Sequence, residues 1–79
     1  MRVRIINRGR EGNAMCFIVQ EINGSAIYTI SYCHRTESPF WRARGIQIYY
    51  GNVEFPDESV RKGFLRVDYN NRISLLTFN

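Results

Sequence analysis

Seventy-nine residues with 44% hydrophobic and 14% aromatic content suffice for a single folded domain over 1–79, and they exclude a disordered chain or a second core. The formal charge of +4 biases the chain toward anionic partners without establishing nucleic-acid binding. No apolar run is long enough to span a membrane, and Met1-Arg2-Val3-Arg4-Ile5-Ile6 reaches Asn7 before a signal-peptide core forms; a cytoplasmic protein with no membrane association is expected.

Short alternating runs between turn residues give the chain an all-β signature. The first strand is expected over Arg2 to Ile6, with Val3 and Ile5 facing in and Arg2 and Arg4 facing out. Asn7 to Asn13, with its two glycines and several charges, reads as an exposed connection. Ala14 to Glu21 is apolar on both faces, which suits the middle of a sheet or a barrel wall.

Asn23-Gly24 supplies the positive φ angles of a type I′ hairpin turn, so the next strand should run from Ser25 to Cys33. That register sets Phe17 opposite Ile30, Val19 opposite Tyr28 and Met15 opposite Tyr32. Tyr28 and Tyr32 then wall the core together. A type II′ turn at Gly24-Ser25 would instead bring Cys16 opposite Cys33. Two cysteines make no secreted disulfide framework, and reduced, half-buried thiols are the expectation.

After a polar loop over His34 to Pro39, Phe40-Trp41-Arg42-Ala43-Arg44 leads into a strand at Gly45 to Tyr50. Ile46, Ile48 and Tyr50 there alternate with Gln47 and an exposed Tyr49. Gly51-Asn52 reads as a turn, and Pro56 to Gly63 as a helical turn with acids first, bases last and Gly63 as its C-cap. A last hairpin joins Phe64–Asp68 to Ile73–Phe78 through Asn70-Asn71. The sum is all-β, or β with one short helix: a small curled antiparallel sheet or barrel of about five to six strands, OB- or SH3-like at a coarse level.

No catalytic constellation is legible. His34 neighbours Cys33, but adjacent strand residues point to opposite faces and make a poor dyad. Cys16, Cys33 and His34 lack the number and spacing of a zinc set. No glycine-rich phosphate loop occurs. Catalytic residues, metal and cofactor are therefore assigned as none.

Ten of the eleven basic residues are Arg, whose planar fork binds carboxylate or phosphate bidentately and stacks on rings. Phe40, Trp41, Arg42 and Arg44, extended by Tyr49, form the candidate partner-binding segment, since Trp, Tyr and Arg dominate interface hot spots. The bland alternative is that Phe40 and Trp41 simply close the core. Arg2, Arg4, Arg8 and Arg10 form a candidate anion-binding group, or else protect an edge strand from pairing with other chains.

The resulting expectation is a small non-enzymatic protein that binds another protein, as an inhibitor or accessory factor of phage or mobile-element type. A nucleic-acid-binding small barrel is the alternative, and an Arg/Tyr-based ribonuclease toxin a further one. Open sheet edges would also permit a homodimer.

Overall fold

A computed structural model of the chain describes residues 1–78. Six antiparallel strands run in chain order around a closed barrel: β1 (Arg2–Glu11), β2 (Ala14–Glu21), β3 (Ile27–Arg35), β4 (Ile46–Glu54), β5 (Val60–Asp68) and β6 (Ile73–Phe78). A short helix, α1 (Pro39–Ala43), interrupts the connection from β3 to β4. The small antiparallel barrel expected from alternation is the fold. Each strand lies beside its chain neighbour, so the order is a simple meander. No described helix is long and apolar enough to cross a membrane.

One row of side chains from every strand fills the interior: Val3, Phe17, Val19, Ile30, Val53, Leu65 and Leu76 are almost fully buried. Truncating any one of the larger side chains to Ala costs about 2–5 kcal/mol. Phe17 and Tyr49 rings meet at 4.8 Å near one end of this core, while Tyr28, Phe55 and Phe78 close the other.

Two bulges set which residues join that row. Between the pairs Ile5↔Val19 and Asn7↔Ile18, β1 has one extra residue, Ile6, and it is exposed. Beyond it the parity of β1 reverses: Arg8 pairs with the core residue Phe17, and Arg10 with Met15. In β3 the extra residue is Tyr32, held at φ 54 between the pairs of Phe17↔Ile30 and Met15↔Cys33. Beyond Tyr32 the inward positions are Cys33 and then Arg35, which pairs with Tyr49. A bulge inserts one unpaired residue and so flips every later side chain to the other face.

Several expectations change as a result. The first strand does not end at Ile6 but continues to Glu11, so Asn7 to Glu11 is ladder and not loop. The β2–β3 register is as expected at Phe17↔Ile30 and Val19↔Tyr28. Its turn is not type I′, however. Neither Asn23 nor Gly24 has positive φ, and Glu21 N–H bonds Ala26 O at 3.0 Å across a wider loop. Met15 faces Cys33 and not Tyr32, because the bulge pushes Tyr32 out to solvent.

Gly51-Asn52 is mid-strand within β4. Pro56 to Gly63 forms no helix. The Asp57 carboxylate accepts the N–H and hydroxyl of Ser59 at 3.0 and 2.6 Å, and Val60 then starts β5 opposite Glu54. An Asx turn competes with helix for that N–H, and it prevails where the next residues alternate as a strand. The chain's helix lies at Pro39–Ala43, with Pro39 in the first turn and Gly45 at φ 77 after its end.

Candidate functional site

Helix α1 packs against β4. Its end is tied down by Asn70, whose Nδ2 donates to Arg44 O at 2.6 Å, and by Tyr69 N–H, which bonds Gly45 O at 2.9 Å. Gly45 is required there, because a Cβ would also meet Asn70 Nδ2 at 2.9 Å. This clamp carries the Phe40-Trp41-Arg42-Ala43-Arg44 segment over the outer wall of the barrel. Trp41 is half-buried with the Arg66 guanidinium 5.0 Å from its ring centroid. Phe40 is exposed, edge-on to Trp41, and Arg44 stacks on it at 3.7 Å.

The outer wall continues that composition. Ile48 pairs with Arg66 and Arg66 with Leu75; Tyr50 pairs with Phe64 and Phe64 with Thr77; Asn52 pairs with Lys62. Tyr50 and Phe64 rings lie 4.7 Å apart, and Lys62 Nζ sits 5.9 Å from the Tyr50 ring. None of these rows contains a carboxylate. The result is an aromatic and aliphatic surface studded with cations, each resting on a ring face that favours positive charge.

Of the expected contact residues, Phe40, Trp41, Arg42 and Arg44 fall on this surface, while Tyr49 does not. Tyr49 is buried in the core, because β4 turns Gln47, Tyr49, Gly51 and Val53 inward. Ile48 and Tyr50, expected inside, are outside and half-buried. Sequence reading therefore missed Ile48, Tyr50, Lys62, Phe64 and Arg66 as members of the face. The signal was the unbroken pairing of two alternating strands, visible once Gly51 is read as strand.

The second candidate group divides at the Ile6 bulge. Arg2 and Arg4 point outward, and Arg4 donates to Gln20 Oε1 at 2.9 Å. Arg8 and Arg10 take inward positions at the end of the barrel that holds α1 and the β5–β6 loop. They form no single stripe. Beyond Val3, β1 pairs with β2 but not with β6, so Arg4, Arg8 and Arg10 lie along an open edge, where charge discourages strand addition.

At that barrel mouth the bulges gather a polar cluster with no sequence motif behind it. Arg8 donates to the Tyr69 hydroxyl at 2.8 Å, and Tyr69 and Tyr49 both donate to Gln47 Oε1, at 3.2 and 2.8 Å. Burial raises the Tyr49 pKa, with Tyr69 adding to it and Arg8 and Arg35 opposing. Arg35 Nε donates to Glu37 Oε1 at 2.7 Å, and Ile48 N–H to Glu37 Oε2 at 3.3 Å. Arg42 Nε stands 3.7 Å from the same carboxylate, whose side chain is fully buried.

Burial alone would raise the Glu37 pKa, but the Arg35 hydrogen bond and backbone donors outweigh it and the net shift is downward. Glu37 is thus an ionised strut between Arg35, the β4 backbone at Ile48 and Arg42 of α1. The cluster offers hydrogen-bond donors to an anion and no free base.

Cys16 and Cys33 are free; Cys33 is buried and its pKa is pushed up to about 11, mainly by burial and then by Cys16. Among the described residues no group of three or more His, Cys, Asp and Glu side chains is placed to hold a metal ion. Comparison with protein-family models, curated proteins and solved structures returned no match.

Proposed function

We propose that this barrel is a non-catalytic binding protein that engages another protein through α1 and the outer face of β4, β5 and β6. The observation that carries the reading is the face itself: Phe40, Trp41, Ile48, Tyr50, Phe64 and Leu75 interleaved with Arg44, Arg66 and Lys62, its three central rows free of acidic residues and Asp68 and Glu54 standing in the rows at either end. Aromatic anchors beside arginines are the composition of interface hot spots. The excess of cations specifies a partner whose contact surface supplies apolar groups rimmed by Asp and Glu. An inhibitor or accessory factor acts by such occlusion, and two free thiols suit a reducing compartment such as the cytoplasm.

The test is affinity capture with wild type, Arg66→Glu and a distant control, Thr29→Glu, followed by direct binding to whatever protein is retained. A protein held by wild type and control but lost by Arg66→Glu supports the reading. Equal retention by all three, or retention of nucleic acid alone, overturns it.

A nucleic-acid reading stands second, favoured by the three cation–ring stacks at Trp41, Phe40 and Tyr50. Exposed rings bordered by cations also stack bases and contact phosphates. It requires oligonucleotide affinity that falls steeply with salt, and a smaller log–log slope in Arg66→Ala.

A further inference from the structure

β1 and β6 share only the pairs Arg2↔Leu75 and Val3↔Ser74, whereas β5 and β6 are paired over their whole common length. The barrel wall is therefore unsealed between the upper part of β1 and the β5–β6 hairpin. A cleft of about 460 Å³ opens there, within the range of small-molecule sites. Its apolar lining is aliphatic: Val3, Ile5, Ile22 and Val67.

The rim is net positive, two arginines against one aspartate. Arg4 and Arg72 line it, and among the described residues Arg4 is bonded only to the neutral Gln20 amide. Asp68 also borders it, kept ionised by the Asn70 and Asn71 donors at 2.9–3.1 Å, so it offsets one of the two arginines and leaves the rim with an excess positive charge. Tyr69 forms a further wall, and its hydroxyl accepts from Arg8 at 2.8 Å. A third guanidinium thus stands one hydrogen bond behind the cleft. An aliphatic floor beneath a net-cationic rim is complementary to a molecule with a hydrocarbon body and an anionic head.

We infer that the β1/β6 cleft binds a small aliphatic carboxylate, its chain over Val3, Ile5 and Val67 and its carboxylate held from the Arg72 and Tyr69–Arg8 side. The site is separate from the β4–β5 face and does not depend on the protein-partner reading.

The probe is decanoate, titrated into the full chain by amide-resolved NMR, with decanol and decyltrimethylammonium as comparison arms. Saturable one-to-one binding with shifts centred on Ile5, Val67, Tyr69 and Ser74 is expected, with decanol weaker and the ammonium absent. Arg72→Asn keeps a residue that tolerates the φ of 55 at that position. It should weaken decanoate about tenfold or more, as loss of one charged hydrogen-bonding group does. Ser74→Leu should fill the cleft and abolish binding. If that variant does not fold, the Arg72→Asn titration and the shift map decide the matter. Overturning results are no saturation by about 1 mM, shifts away from the cleft, or decanol binding as tightly as decanoate.

Discussion

Replacing Gly51 with Ala tests the way the Tyr32 bulge is seated. β3 and β4 approach closely beside the bulge, where a Cβ on Gly51 would lie 2.6 Å from Ser31 O and 2.8 Å from Cys33 Sγ. A favourable C–H···O contact lies at about 3.3–3.6 Å, so the new carbon arrives roughly 0.7 Å too close to a backbone atom that cannot swing aside. Overpacking of this kind costs about 1–3 kcal/mol, and a contact against main chain belongs at the upper end of that range. Removing a glycine from the unfolded chain returns about 0.5–1 kcal/mol. The balance is a net loss of about 2 kcal/mol, equivalent to a fall in melting temperature of roughly 8–16 °C for a domain of this size.

Gly9 provides the internal control, since no heavy atom lies within 4 Å of its would-be Cβ. Gly9→Ala should gain about 0.5 kcal/mol from the same unfolded-state effect. Thermal melts and urea titrations of both variants read the difference, with an unchanged m-value marking the same unfolded state. Equal stability of Gly51→Ala and Gly9→Ala would refute the packing argument.

Acid should act through Glu37. Its folded pKa lies below the ordinary value of 4.5, so its contribution is full above that pH and is lost as pH falls through the folded value. Glu37→Gln should be less stable than wild type at neutral pH and lose less on acidification, as followed by urea midpoints from pH 7 downward. Thiol reactivity should separate the two cysteines. With its pKa pushed up to about 11 and its side chain buried, Cys33 should resist iodoacetamide at neutral pH until the protein is unfolded. Mass spectrometry that finds Cys33 modified as fast as Cys16 in the native protein would remove the basis for its placement.

The fold class was legible because alternation is a property of neighbouring residues. Val3 and Ile5, Phe17 and Val19, and Tyr28 and Ile30 each announce an inward row, and the Phe17↔Ile30 register follows from Asn23-Gly24 even though the turn there is wider than type I′. What sequence did not show is where the count slips. Ile6 and Tyr32 are ordinary strand residues, and only the closing of the ladder around them makes them bulges. The misplaced facing of Tyr32 descends from that, as do the inward positions of Arg8 and Arg10 in a segment read as loop.

Tyr49 failed for a different reason. Its strand carries large side chains on both faces, and on the outer one Ile48 and Tyr50 stay half-buried beside Phe64 and the Trp41–Arg66 stack. The contact segment at Phe40 to Arg44 was legible by composition; its partners across β4 and β5 required the pairing.

The single inserted residue at Ile6 also governs how this molecule can change. Point substitutions alter one position at a time, but deleting Ile6 would restore an uninterrupted period-two repeat along β1. Asn7 would stay opposite Ile18 and Arg8 opposite Phe17, so the residues beyond the bulge would keep the faces they have now. Loss of the Ile6 codon would take out the local bend and extra twist of a bulge while leaving Arg8 and Arg10 where they are, so the inserted residue is a lever on the curvature of the wall and not on its charge.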